Sequence, residues 1–224
     1  MNLLVRKLTD VSLLQRANSF TTNKDSHMSL AKAYRYGHSP IRTQQFWIEL
    51  EDIPLFVASQ FVRSHVGVQF FQLSKRTDRG GKNFKEEISN INYRINEIAT
   101  QDVSHIMTES EYDDVINGLN GVNEWIAELP EHYDRYAPTN LAFICNAEML
   151  INTSHKRLCN NASKETIDTF KKICNAIQVE DSDLYPHLVP QCVYRGVCPE
   201  PKCCGFIHIK QYKESRDKYC QLYK

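Results

Sequence analysis

The sequence predicts a single domain that mixes helices with strands, of the α/β or α+β class. The chain has 224 residues, 42% of them hydrophobic, which is enough to bury one sizeable core. No internal repeat or low-complexity tract divides it. Stretches with the alternation of strands stand beside stretches with the apolar spacing of helices. One mixed domain is therefore the expectation.

Three elements are predicted in the first 50 residues. Residues 1–9 combine apolar and β-branched side chains, which indicates a short strand. A helix is expected from Ser19 to Gly37, where glycine ends it. The alternation from Phe46 to Leu50 predicts a second strand.

The next segment carries the first candidate functional face. After Pro54, apolar residues recur at helical spacing from Leu55 to Val66, so Gln60 and Arg63 are expected on one polar face of a helix. A polar, glycine-bearing loop is predicted from Thr77 to Glu87.

The second half of the chain is predicted to be mainly helical. A helix interrupted by two glycines is expected from Ser110 to Leu129, an apolar-rich helix from Pro138 to Leu158, and an amphipathic helix from Ala162 to Ile177. Residues 187–206 are rich in Pro, Cys and Gly, and residues 207–224 are polar, so an irregular tail is expected there.

The charge balance and the hydropathy exclude two classes of partner. Lysine and arginine number 27 and the acidic residues also 27, so no overall field attracts nucleic acid. No stretch approaches the roughly 18 apolar residues of a membrane span, and the first residues lack the apolar segment of a signal peptide. A cytoplasmic protein with neither nucleic-acid nor membrane partners is expected.

The eight cysteines are expected to be reduced thiols or metal ligands rather than disulfides, since no signal peptide accompanies them. Cys192, Cys198, Cys203 and Cys204 are the candidates for zinc. No Cys-x-x-Cys knuckle is present and the adjacent Cys203-Cys204 pair is awkward for a tetrahedral ion, so no metal ligand is predicted.

Three blocks of chemistry-bearing residues occur in a fixed order. The first holds Gly37-His38, Gln60, Arg63-Ser64-His65 and Ser74-Lys75-Arg76; the second holds Asn146-Ala147-Glu148, Asn152, Arg157 and Ala162 to Glu165; the third is the cysteine-bearing segment Cys192 to Gly205. The blocks extend from about residue 35 to residue 205. In their order and spacing they resemble the motifs of the flavin-dependent thymidylate synthases.

The resemblance implies a fold and a reaction. The fold is a single α+β domain over residues 1–206, with a small antiparallel sheet packed with helices, and a polar tail over residues 207–224. The reaction methylates dUMP to dTMP, with methylenetetrahydrofolate supplying the carbon and reduced FAD the hydride, while NADPH reduces the flavin. Members of the family assemble as homotetramers with shared active sites, so a homotetramer is implied.

The resemblance also assigns roles to single residues. Residues expected to bind the nucleotide are Gln60, Gln72, Ser74, Arg76, Arg135 and Arg157. Residues expected to bind the flavin are Arg63, Ser64, His65, Asn146 and Asn152. Arg157 is also the candidate catalytic residue, because an arginine beside the pyrimidine carbonyl favours negative charge as it develops.

Several positions depart from the family pattern and leave alternatives open. The family's Arg-His-Arg is Arg63-Ser64-His65 here, an acid-histidine pair is replaced by Arg42-Thr43, and Glu148 stands where the family has an arginine. One alternative is a relative that modifies another pyrimidine nucleotide or uses other one-carbon chemistry. Another is a non-catalytic nucleotide-binding or assembly protein. Structural roles are open as well. Asn146 and Asn152 could form hydrogen bonds with the neighbouring backbone, and Arg157 could interact with the dipole at a helix C-terminus.

Overall fold

The chain is described by a computed structural model that covers residues 1–73, 93, 108, 110, 111, 113–118, 121 and 135–224. It divides into two compact units. The first comprises residues 1–53, 57–72 and 139–224, and the second residues 54–56 and 73–138. Within the described residues, no helix is long and apolar enough to cross a membrane.

Over the described ranges, four strands form one sheet. They are β1 (Asn2–Lys7), β2 (Gln45–Pro54), β3 (Val68–Gln72) and β4 (Pro138–Asn146), and their order in the sheet is β1-β2-β4-β3. β1 pairs with β2 and β3 with β4, both antiparallel. The two strands predicted near the N-terminus are confirmed as β1 and β2.

The central pair of strands is also antiparallel. The backbone N–H of Asp52, late in β2, donates to Asn140 Oδ1, early in β4, at 3.0 Å. The N–H of Ala147, just past β4, donates to the carbonyl of Gln44, just before β2, at 2.9 Å. Opposite ends of the two strands therefore meet, and the α+β class with a small antiparallel sheet is confirmed.

The described helices are α1 (Val11–Thr22), α2 (Leu30–Tyr36), α3 (Leu55–Phe61), α4 (Ala147–Arg157), α5 (Lys164–Glu180), α6 (Gln191–Arg195) and α7 (Lys210–Gln221). The single helix predicted from Ser19 to Gly37 is wrong, because α1 ends where Asn23 adopts a left-handed conformation with φ of 52°. The chain restarts at Ser29, whose side chain caps α2 by accepting from Lys32 N. The helix predicted from Ala162 to Ile177 is confirmed as α5.

The helix predicted from Pro138 to Leu158 is wrong in its first half. Those residues form β4, in which Thr139, Leu141, Phe143 and Cys145 are buried and alternate with less buried neighbours. The less buried residues Ala142 and Ile144 are apolar as well, so Leu141 to Cys145 is a continuous apolar run, which periodicity alone does not separate from a helix.

The core of the first unit lies between the sheet and the helices. The ring of Phe61, at the end of α3, stacks on Phe143 of β4 at 6.2 Å and on Phe170 of α5 at 6.0 Å. All three side chains are essentially inaccessible to solvent. Burying each contributes about 1.5–3 kcal/mol, which anchors the end of α3 against β4 and α5.

The predicted helix from Leu55 to Val66 is shorter than expected. α3 ends at Phe61 because the chain must turn into β3, and Gly67 makes that turn with a φ of 75°. The Gly67 carbonyl accepts from the N–H of Asn146 at 2.9 Å. A Cβ at Gly67 would lie 2.5 Å from Asn146 Nδ2, so glycine is required on both counts.

The tail predicted to be irregular is helical over α7. The α7 residue Tyr219 is buried with Cys192 and Val193 of α6, and Arg216 Nη1 donates to the carbonyl of Tyr194 at 2.8 Å. The apolar residues of α7 are widely spaced in a polar sequence, which conceals the helix from periodicity. The division of the chain at residue 206 stays a prediction.

Two sequence predictions fall on parts of the chain outside the described residues. One is the loop from Thr77 to Glu87, and the other is most of the helix from Ser110 to Leu129, of which residues 113–118 are helical.

Candidate functional site

The ends of α3 and α4 meet through Arg157. Its guanidinium donates from Nη2 to the Gln60 backbone carbonyl and from Nη1 to Gln60 Oε1, the latter at 3.4 Å. Nearby, Ser64 Oγ lies 3.5 Å from Thr153 Oγ1. Residues that are distant in sequence, around Gln60 and along Asn146 to Arg157, are therefore brought together.

A cleft of about 260 Å³ opens between these two segments. We call it the basic cleft; its polar lining residues include Arg63, His65, Asn152, Thr153, Lys156 and Arg157. None of the described residues that line it is acidic. A concave site lined by cations without carboxylates is complementary to an anion.

Arg157 is the most constrained cation of the basic cleft. Burial lowers the pKa of its guanidinium, and the positive charge of Arg63 lowers it further. Its Nε is buried and has no hydrogen-bond partner among the described residues. Since an arginine stays protonated in proteins, a bound anion would relieve both the repulsion and the unpaired donor.

Gln60 is held in place by protein contacts on both ends of its amide. Its Oε1 accepts from Arg157, and its Nε2 donates to Ser163 Oγ at 3.5 Å. Ser163 in turn donates to Thr166 Oγ1 at 2.8 Å. Gln60 therefore orients Arg157, and its predicted contact with the nucleotide stays a prediction.

The two candidate asparagines are placed differently. Asn146 is the N-cap of α4, where its Oδ1 accepts from Met149 N at 2.9 Å, and it lies against Gly67 outside the basic cleft. This is the structural use that the sequence left open for it. Asn152 lies on α4, is exposed and lines the basic cleft. Their flavin contacts stay predictions.

The other predicted substrate residues are not among the described residues that line the basic cleft. Gln72 is exposed at the end of β3 and does not line the basic cleft. Arg135 belongs to the second unit, where its guanidinium lies 5.0 Å from the centre of the Phe56 ring. Ser74 and Arg76 lie outside the described residues.

Sequence reasoning missed Lys156 and Thr153 as lining residues of the basic cleft. Thr153 follows Asn152 by one position and Lys156 follows it by four, so helical spacing places Lys156 on the same face as Asn152 and Thr153 on an adjoining face. This spacing was present in the predicted helix from Pro138 to Leu158, but neither residue belongs to the motifs of the resemblance.

The two departures at Arg42 and Glu148 pair with each other. Arg42 Nε and Nη2 donate to the two carboxylate oxygens of Glu148 at 2.8 and 3.1 Å. The contact raises the pKa of Arg42. The two residues are 106 positions apart, so no local spacing indicates the pair.

The cysteines are free thiols in this structure. Among the described residues, no group of three or more His, Cys, Asp or Glu side chains is arranged to hold a metal ion. Cys145 and Cys174 are buried, and burial raises the pKa of the Cys174 thiol to about 12. These two are core thiols.

Comparison with known proteins adds a family match. Residues 7–180 match the family model described as thymidylate synthase complementing protein. No curated protein matches the chain by sequence.

Solved structures also match the chain. A crystal structure of Helicobacter pylori thymidylate synthase X with FAD and dUMP has a TM-score of 0.53 at 17% identity, covering 84% of this chain and 99% of that chain. Another structure of the Helicobacter pylori enzyme with the same ligands has a TM-score of 0.53 at 16% identity, covering 84% and 100%. The UMP/dUMP methylase PolB of Streptomyces cacaoi, bound with 5-Br dUMP, has a TM-score of 0.45 at 14% identity, covering 83% and 94%.

Proposed function

This chain belongs to the thymidylate synthase complementing protein family, and from that premise we propose that it methylates dUMP to dTMP. Methylenetetrahydrofolate donates the carbon to C5 of the uracil ring, reduced FAD donates the hydride, and the C5 hydrogen leaves as a proton. NADPH returns the flavin to its reduced form. We further propose a cytoplasmic homotetramer whose subunits share active sites.

The observation that carries the proposal is the basic cleft. Arg63, Lys156 and Arg157 place three cationic side chains around about 260 Å³ with no acidic residue in the lining that the structure describes. A nucleotide phosphate satisfies this arrangement, because hydrogen bonds between a cation and a phosphate are stronger than neutral ones. The unpaired Nε of Arg157 offers a further donor.

In this proposal each cleft residue has a distinct role. Arg157, oriented by Gln60, faces the pyrimidine and stabilises negative charge on its carbonyl as the carbon is transferred. Lys156 binds the phosphate of dUMP, and the hydroxyl of Thr153 completes the hydrogen bonding there, while Arg63 and Ser64 serve the flavin.

Four further residues are proposed to contact the nucleotide: Gln72, Ser74, Arg76 and Arg135.

The residues of the cleft fit a phosphate-bearing cofactor such as FAD, since its described lining holds cations but no acidic residue, and the buried Nε of Arg157 has no hydrogen-bond partner among the described residues. Arg63, Ser64, His65 and Asn152 would hold it. Asn146 would take part only if its side-chain amide contacts the cofactor while it also caps α4. Bound flavin would supply the hydride chemistry. The volume of the basic cleft, about 260 Å³, is smaller than the roughly 300–1,000 Å³ of a pocket that holds a complete small-molecule ligand. This difference supports a site to which another subunit of the proposed tetramer contributes residues.

The proposal is tested by flavin binding and by turnover. FAD fluorescence quenching on titration with the purified chain, and tritium release from C5-labelled dUMP with methylenetetrahydrofolate and NADPH, are the two measurements. Lys156→Gln should weaken dUMP binding about tenfold, whereas Lys171→Gln, which removes an exposed lysine from α5, should not. Flavin binding without any tritium release at saturating substrates would reject thymidylate synthesis.

Two contacts favour a second candidate, a nucleotide-binding protein that has lost the flavin reaction. Asn146 is committed to the cap of α4, and Glu148 places a carboxylate, paired with Arg42, where the family has an arginine. Thermal-shift measurements with dUMP, UMP and dCMP separate the candidates. A shift with any of them, combined with no flavin binding, would favour this second function or a different pyrimidine substrate.

A further inference from the structure

The N-terminus of α5 carries a serine whose side chain does not cap the helix. Ser163 is the N-cap residue, and within the described part of the chain its hydroxyl accepts from no backbone N–H of the first turn. The corresponding residue of α2, Ser29, does cap its helix by accepting from Lys32 N at 3.3 Å. A serine at this position normally stabilises the helix through such a bond. The Ser163 hydroxyl therefore serves other contacts.

The Ser163 hydroxyl joins α5 to the end of α3. Its Oγ donates to Thr166 Oγ1 at 2.8 Å and accepts from Gln60 Nε2 at 3.5 Å. Thr166 is fully buried, while Ser163 and Gln60 are partly buried. A hydroxyl has one proton, and this one is directed at Thr166. The Ser163 oxygen can therefore only accept from Gln60.

This contact decides which end of the Gln60 amide faces Arg157. An amide side chain has a donating nitrogen at one end and an accepting oxygen at the other. With the nitrogen at Ser163, the oxygen Oε1 faces Arg157 and accepts from its Nη1 at 3.4 Å. The reverse orientation would place the donating nitrogen against a guanidinium, which has donors only. Ser163 therefore selects the orientation in which Gln60 can hold Arg157.

The bond to the Gln60 side chain fixes the plane of the Arg157 guanidinium. Nη2 donates to the Gln60 backbone carbonyl, and a single contact of this kind lets the group swing about one point. The bond from Nη1 to Oε1 adds a second point, and two points on a planar fork define its direction. The unpaired Nε of Arg157 is thereby held in one place.

Electrostatic repulsion acts against this orientation of Arg157. Burial, and then the charge of Arg63, lowers the pKa of the Arg157 guanidinium, so a neighbouring cation of the basic cleft repels it. An arginine with one pivot contact would relieve the repulsion by turning away. The contact through Gln60 opposes that movement.

We propose that Ser163 is a positioning residue, directed by Thr166 and acting through Gln60 on Arg157. These contacts hold the guanidinium where negative charge develops on the pyrimidine carbonyl, so no reorganisation is needed as the carbon is transferred. Neither Ser163 nor Thr166 is among the described residues that line the basic cleft, so both act at a distance. The inference rests on the proposed function for the role of Arg157, but part of its test needs no substrate.

The substrate-free test measures the mobility of the Arg157 side chain by NMR. The heteronuclear NOE of its Nε–H, in the ¹⁵N-labelled full chain, should be that of an ordered group and should fall in Ser163→Ala, which removes the acceptor for Gln60. Ser163→Thr keeps the hydroxyl and should keep the NOE high. Thr166→Val keeps the branched shape but frees the Ser163 proton, so it should lower the NOE as well.

The kinetic test measures tritium release from C5-labelled dUMP. Ser163→Ala should lower kcat about tenfold, the effect of about one hydrogen bond in the transition state, and Ser163→Thr should restore it. The Kd for dUMP should stay within about threefold, because Arg157 and Lys156 are both retained. Ser29→Ala is the matched control, since it removes the N-cap serine of another helix, and it should leave kcat unchanged.

The two readouts keep this inference separate from the proposed function. An Arg157 NOE that is equal in Ser163→Ala and the unaltered chain would overturn the inference, as would an equal fall of kcat in Ser29→Ala. A low NOE in Ser163→Thr would overturn it too, because the hydroxyl would then not be the cause. If Ser163→Ala does not fold, Thr166→Val decides by the same measurement. If the unaltered chain releases no tritium, the proposed function fails, and the NOE alone decides the role of Ser163.

Discussion

Arg157 illustrates how much of the site is readable from residue types and spacing. Its convergence with Gln60 was predicted because the order of polar blocks resembles a known family, and the structure brings the two residues into contact. The partnership of Arg42 with Glu148 was not predicted, because a pair 106 positions apart leaves no local pattern. Asn146 was predicted inside a helix from Pro138 to Leu158, but the helix begins at Ala147 and Asn146 is its N-cap.

Replacing Arg157 by lysine separates its charge from its geometry. Lysine keeps the positive charge but loses the planar fork that reaches both oxygens of Gln60. We expect dUMP affinity to fall at least about tenfold, and the free energy of unfolding to fall by roughly 1–3 kcal/mol, as carbonyl and amide groups lose their partner. Calorimetric titration with dUMP and urea denaturation measure the two effects. Unchanged dUMP affinity would remove Arg157 from the proposed site.

Two substitutions at Asn146 distinguish a helix cap from a cofactor contact. Asn146→Ala removes the acceptor for Met149 N and should lower the free energy of unfolding by about 1 kcal/mol. Asn146→Asp keeps the acceptor and should leave stability nearly unchanged. If Asn146 also touches flavin, the aspartate variant should lose FAD affinity at full stability, as measured by denaturation and fluorescence titration side by side. Equal FAD affinity in the aspartate variant would limit Asn146 to the cap.

His155 predicts how stability depends on pH. Its folded-state pKa is depressed to about 4 by burial and by Arg195, below the ordinary value of 6.5, so the unfolded chain binds more protons between these values. Stability should therefore be fully present above pH 6.5 and fall as the pH drops toward 4. His187, whose pKa is lowered by burial against an opposing effect of Asp183, acts in the same direction. Urea denaturation at several pH values between 4 and 6.5 measures this dependence. In His155→Phe the free energy of unfolding should change less with pH, and an unchanged slope would contradict the prediction.

At the scale of elements, the sequence identified β1 and β2 but neither β4 nor β3. β2 carries visible alternation, whereas β4, like β2 a central strand, has apolar residues on both faces from Leu141 to Cys145, and β3 is only five residues long. α7 was missed for the opposite reason, because few apolar residues mark its buried side. Packing between elements decides both cases, and packing is not readable from a local window.

The turn from α3 to β3 depends on a single position. Gly67 has a φ of 75°, and a Cβ there would collide with the side chain of Asn146. Gly67→Ala should cost roughly 1–2 kcal/mol from the left-handed backbone alone, and more if Asn146 is pushed out of its cap. In a double-mutant cycle with Asn146→Ala, the combined loss measured by urea denaturation should be smaller than the sum of the two. Strict additivity would show that the cap survives the added methyl group.

At the scale of the whole molecule, the prediction that the domain ends at residue 206 can be tested directly. A boundary at residue 206 treats residues 207–224 as a dispensable tail, whereas Tyr219 of α7 is buried with Cys192 and Val193 of α6. Burial of this cluster contributes several kcal/mol by area, so deleting residues 207–224 should lower the melting temperature and increase binding of a hydrophobic dye. Circular dichroism and dye fluorescence of the truncated chain measure this. A truncated chain with an unchanged melting temperature would support the boundary at residue 206.

The same truncation tests whether α7 supports the basic cleft. The described residues that line this cleft lie between residues 63 and 66 and between residues 149 and 157, and the truncation removes none of them. If the shortened chain stays folded, dUMP should bind within about threefold of its affinity for the full chain, a change of well under 1 kcal/mol. Calorimetric titration of the full and the shortened chain with dUMP measures this, and circular dichroism checks that the shortened chain stays folded. Loss of dUMP binding by a folded shortened chain would mean that α7 supports the cleft.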